Sequence, residues 1–95
     1  LNIHPSLLPK FPGAHAHQEV LSSGESKSGC TVHFVDSGMD TGAIIEQSEV
    51  PVYPHDTLEN LQERVKKVEH RLHPKIIDLF SEGKIRLIDG EIIRK

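Results

Sequence analysis

Two hydrophobic rhythms divide the chain. From Cys30 to Asp36 the side chains alternate, with Cys30, Val32 and Phe34 facing one way and Thr31, His33 and Val35 the other. That period of two predicts a strand. After Asp56 the spacing lengthens: Leu58, Leu61, Val65, Val68, Leu72, Ile76 and Phe80 recur every three or four residues and lay one buried stripe along a helix. Asp56 is its expected N-cap, with Glu59 completing a capping-box start. Pro74 is expected to kink or divide this helix, and Gly83 to end it.

Weaker patterns fill the remainder. Residues 1–4 read as a strand end. Pro5, Pro9, Pro12 and Gly13 exclude regular structure from residues 5–13 and predict an ordered loop. Ala14 to Ser23 predicts a short helix with Ala16, Val20 and Leu21 on one side and Gly24 as its stop. Glu25 to Gly29 reads as a polar connection. Ala43 to Tyr53 predicts a second strand, broken near Pro51 and antiparallel to the first. Lys84–Ile88 and Glu91–Ile93 flank Asp89-Gly90, a strong hairpin-turn dipeptide. The sum is a mixed α/β lobe.

Composition narrows the class. Ninety-five residues suffice for one small domain with a modest core. The opening Leu1-Asn2-Ile3-His4 needs strand partners, so the expectation is a lobe of a larger protein. The formal net charge is -3 with no basic run, which argues against a nucleic-acid surface. A single cysteine excludes an internal disulfide, and Cys30 fits a small core residue better than a nucleophile. No stretch approaches membrane-spanning length, and a soluble cytoplasmic protein is expected.

Seven histidines first suggest metal. Neither paired cysteines nor a His-Glu-x-x-His spacing accompanies them, so no metal is expected, and His15 and His17 read as a loop-to-helix segment with polar contacts. Asn2 and His4 are two apart and so share a strand face at a strand end, where open α/β sheets place ligands. Two donors aimed at one point suit an oxyanion site. Asp40, in the loop from Ser37 to Gly42, would favour the imidazolium form of a nearby histidine. The same loop also fits an ordinary tight turn with a capping Asp. A strand follows it, so it suits backbone hydrogen bonding to a planar ligand better than a phosphate cradle.

The run Asn2-Ile3-His4-Pro5-Ser6-Leu7-Leu8-Pro9 closely resembles the signature of the folate-dependent formyltransferases. Their downstream Asp in a glycine-flanked loop is matched by Met39-Asp40-Thr41-Gly42. The resemblance covers nearly the whole chain apart from its C-terminal tail. It implies the C-terminal portion of a mixed sheet flanked by helices, with the nucleotide-binding N-terminal half missing. Lys10 to His17 looks most like the purine branch of the family, as does Val65 to His70. The implied reaction moves a formyl group from 10-formyltetrahydrofolate to the amine of glycinamide ribonucleotide, with no metal, nucleic acid or membrane.

The implied catalytic residues are Asn2, His4 and Asp40. The implied folate-binding residues are Val35, Asp36, Ser37, Gly38, Met39 and Asp40. Lys66 and Glu69 take the position of the family's ribonucleotide contacts; three apart, they share a helix face. A deformylase, or another formyltransferase on the same core, is the first alternative. A catalytically silent folate-binding module is the second.

Overall fold

A computed structural model describes residues 1–35, 42–88 and 91–94. Among these, three strands form an antiparallel sheet in the order β1-β2-β3, namely Asn2–His4, Lys27–His33 and Ile44–Pro51. Helix α1, Ala16–Ser23, and the long helix α2, Leu58–Ser81, complete this unit. A separate antiparallel pair, β4 (Ile85–Ile88) and β5 (Glu91–Arg94), follows. Their expected turn, Asp89-Gly90, lies outside the described residues.

The core lies between the sheet and α2. Leu61, Val65, Leu72 and Ile76 of the predicted stripe are buried against Cys30, Val32, Ile45 and Val50. Each such side chain contributes about 1.5–3 kcal/mol of burial free energy. Val68 packs at the margin of this core, whereas Phe80 is exposed and meets Phe34 edge-on at 5.7 Å. Pro74 sits inside one continuous helix, so it does not divide α2. Gly24 follows α1 in the left-handed conformation, as its predicted role requires.

β2 begins three residues earlier than its alternation suggests. Lys27, Ser28 and Gly29 belong to the strand and pair with Pro51, Val50 and Glu49. β3 recruits this segment through tertiary pairing, which overrides its weak intrinsic preference. A Cβ on Gly29 would collide with the Ser48 carbonyl and lie 2.9 Å from Leu7 Cδ2. Glycine therefore lets the loop and β3 close on the strand together. From Ser28 to His33 every residue is buried, because α2 covers one face and the 5–13 loop the other.

The N-cap of α2 is Thr57 and not Asp56. Thr57 Oγ1 accepts from Asn60 N at 3.1 Å. Asp56 is instead held by Arg64, whose Nη1 and Nη2 donate to its two oxygens at 2.7 and 2.8 Å. The same guanidinium donates to the Pro51 carbonyl and lies 4.7 Å from the centre of the Tyr53 ring. The resulting clamp fixes the β3–α2 connection. Arg64 and the backbone N–H of Tyr53 hold the Asp56 carboxyl down at about 2.

Candidate functional site

The proline-rich loop is fastened to the sheet by side-chain hydrogen bonds. Thr31 Oγ1 donates to the Ser6 carbonyl at 2.7 Å and accepts from Leu8 N at 3.1 Å. Gln47 Nε2 donates to Thr31 Oγ1 at 3.0 Å and to the Leu8 carbonyl at 2.7 Å. Ser6 Oγ in turn donates to the Lys10 carbonyl at 2.7 Å. The Ser-Leu-Leu-Pro run thus has a structural reason: its serine and backbone carbonyls lock the loop over β2.

This loop covers His4. The imidazole is 5% exposed, and its Nε2–H donates to the Phe11 carbonyl at 2.9 Å. Phe11 has a positive φ of 53°, a conformation that turns its carbonyl toward both His4 and Ser6. Asn2 shares a strand face with His4 but is exposed at the opposite end of β1. Across the sheet, Asn2 pairs with His33 and His4 with Thr31. The His33 ring is buried and donates through Nδ1 to the Phe34 carbonyl at 3.0 Å.

By strand alternation Ile3 takes the face opposite Asn2 and His4. There it joins Pro5, Lys66, Glu69 and His17 around a cavity of about 700 Å³. Lys66 and Glu69, expected to act together, do line one cavity, and that cavity reaches the signature segment of β1. Burial raises the Glu69 carboxyl above its ordinary range, while His70, His4, His73 and Lys66 pull it back. His17 is held below its ordinary value, first by burial and then by the charge of His4. His4 therefore bears electrostatically on groups of the cavity although it sits on the other face of its strand.

Other expected site residues fall differently. Val35, the first of the expected folate contacts, is 66% exposed just beyond β2. Asp40, with Asp36, Ser37, Gly38 and Met39, lies outside the described residues. The strands on either side of that loop are bridged by Phe34 N–H donating to the Ala43 carbonyl at 3.0 Å. Cys30 is fully buried in the core, and burial pushes its thiol up to about 11, which suits packing and not nucleophilic attack. Among the described residues no group of three or more His, Cys, Asp or Glu converges as metal ligands, and no helix is long and apolar enough to cross a membrane.

His17 is one of the cavity residues that the sequence does not place there. The sequence pairs it with His15 and places it in the purine-like segment Lys10 to His17, but no spacing ties it to Lys66. The contact between α1 and α2 brings it in. His15 precedes α1 without capping it through its side chain.

Comparison with known proteins fits this arrangement. The family model described as formyl transferase matches residues 1–77. A trifunctional purine biosynthetic protein adenosine-3 from Chironomus tentans is 54% identical over 94% of this chain and 6% of its own length. The crystal structure of glycinamide ribonucleotide transformylase 1 from Symbiobacterium toebii superposes with a TM-score of 0.93 at 47% identity, over 98% of this chain and 44% of that one. A formyltetrahydrofolate deformylase from Pseudomonas syringae superposes at 0.90 with 31% identity, over 98% of this chain and 31% of that one. The chain thus spans less than half the length of each of these proteins, and it belongs to the formyl transferase family.

Proposed function

We propose that the complete polypeptide carrying this chain transfers a formyl group from 10-formyltetrahydrofolate to the amine of glycinamide ribonucleotide, in the cytoplasm and without a metal. The observation that carries this reading is that Lys66 and Glu69 line one cavity with Ile3 and Pro5, the residues on either side of His4, and that His4 is close enough to influence Glu69. The greater identity to a transformylase than to a deformylase supports an amine as the acceptor in place of water.

In this reading the amine nitrogen attacks the formyl carbon and an oxyanion forms on the former carbonyl oxygen. Asn2 and His4 stabilise it. His4 does so by exchanging the Phe11 carbonyl for the oxyanion, a favourable trade because a charged acceptor binds an N–H about twice as strongly as a neutral one. Breaking the bond to the folate nitrogen releases the formylated amine. The proton lost by the amine ends on that nitrogen, and Asp40 is the proposed relay. Val35 to Asp40 are the proposed folate contacts, and Lys66 and Glu69 the proposed contacts to the ribonucleotide. The substrate phosphate is assigned to an N-terminal half of the same domain, so residues 1–95 alone are expected to turn over little substrate.

Incubating the complete polypeptide with both substrates tests the assignment. Formylated glycinamide ribonucleotide is the expected product. Release of formate without it would replace the transferase with a deformylase. Binding of the folate with neither product would leave only a silent module.

A further inference from the structure

His17 is the least explained polar side chain of the cavity. It stands in the first turn of α1, lines the cavity beside Lys66 and Glu69, and also borders a smaller one toward Leu58 and Gln62. Its Nδ1 is sealed from solvent and has no hydrogen-bond partner among the described residues. Buried polar atoms are nearly always paired, so such an atom calls for an explanation. For backbone groups an orphaned N–H is rarer than an under-satisfied acceptor. By the same logic the ring places its lone pair at the sealed Nδ1 and its proton on Nε2. The depressed basicity of the ring is consistent with a neutral imidazole.

A neutral N–H on the wall of a cavity that holds the Lys66 ammonium and the carboxylates of Glu59, Glu63 and Glu69 is suited to a ligand oxygen, and the carboxylates to its hydroxyl protons. We infer that His17 is a further substrate-binding residue, donating from Nε2 to an oxygen of a sugar phosphate seated against Ile3, Lys66 and Glu69. The inference deepens the proposed function and rests on it for the identity of the ligand. The alternative is a packing role, with the ring serving only as a wedge between α1 and α2.

Two substitutions separate these roles in the complete polypeptide. His17→Phe keeps a flat ring and loses the N–H; His17→Gln restores an N–H donor on a different shape. The expected result for His17→Phe is a KM for glycinamide ribonucleotide raised roughly threefold to tenfold, the loss of one neutral hydrogen bond. Its kcat and its KM for the formyl donor stay near wild type, and His17→Gln recovers most of the lost affinity. An unchanged KM in His17→Phe overturns the inference. So does an equal fall in kcat and melting temperature in both variants, the mark of a wedge.

If the wild-type polypeptide forms no formylated amine, the proposed function fails and the inference is decided by direct titration with ribose 5-phosphate. Weaker binding to His17→Phe than to wild type then supports it, and equal binding or none overturns it. Nitrogen-15 spectra of His17 give a further check. The Nε2–H tautomer is expected, and the Nδ1–H tautomer would remove the donor from the cavity.

Discussion

The loop after β1 and the connection that leads into α2, residues 5–15 and 52–57, are both irregular segments, yet they are secured in different ways. The α2 entrance is closed by contacts near in sequence: Thr57 caps three residues ahead, and Asp56 meets Arg64 two turns on. The 5–13 loop is held by residues far away in the chain, Thr31 and Gln47, and it buries His4 beneath Phe11. Local fastening fixes the first turn of α2, whose Glu59 and Asn60 line the cavity. Remote fastening makes the position of His4, the proposed oxyanion donor, depend on the sheet.

The comparison breaks most sharply at His4. Replacing it with Ala in the complete polypeptide should slow turnover on the order of 10²- to 10³-fold, and the void left by a buried ring should also lower the melting temperature. Turnover by the protein that remains folded separates the two effects, and full activity per folded molecule would remove His4 from the chemistry. Next comes Gly29→Ala. The new methyl would drive the loop and β3 apart, costing about 3 kcal/mol, and a thermal melt reads it directly. A harmless Gly29→Ala would show that the seam can give way.

The α2 entrance should respond more weakly and with a pH signature. The Asp56 carboxyl is depressed in the folded state, so its stabilisation is complete above the ordinary carboxylate range. It is lost as pH falls through about 2. The gap in melting temperature between wild type and Asp56→Asn should therefore be constant near neutrality and close between about pH 4 and 2. A gap independent of pH over that window would show that shape and not charge holds the clamp. Smallest is Thr57→Ala, expected to cost about 1 kcal/mol in denaturant melts with no change in KM for either substrate. A rise in KM would tie the helix entrance to the cavity.

These two regions also mark what the sequence made legible. The types of β2 and α2 follow from periodicity, because strands and helices expose one face with a fixed period, while β4 and β5 follow from the turn dipeptide between them. The start of β2 was not legible, since Lys27-Ser28-Gly29 has no strand preference of its own and enters by pairing with β3. Asp56 and Thr57 are both good capping residues. Only the position of Arg64, eight residues beyond Asp56, decides which of them caps. Among the cavity-lining residues, the shared helix face of Lys66 and Glu69 was legible from their spacing, and their proposed role comes from the family resemblance. His17 was not, because its place depends on how α1 packs on α2. Nor did any pattern reveal that His4 would be turned toward the Phe11 carbonyl.

Thr31 has one proton and two lone pairs, and all three are committed: one to the Ser6 carbonyl, two to Leu8 N–H and the Gln47 amide. Such saturation inverts the usual measure of a conservative change. Valine matches threonine atom for atom in outline and would strand two buried groups at once, the Ser6 carbonyl and the Leu8 N–H, whereas the smaller serine would leave every partner served. Position 31 thus reads chemistry before shape, and a designer guided by volume alone would choose the wrong replacement first.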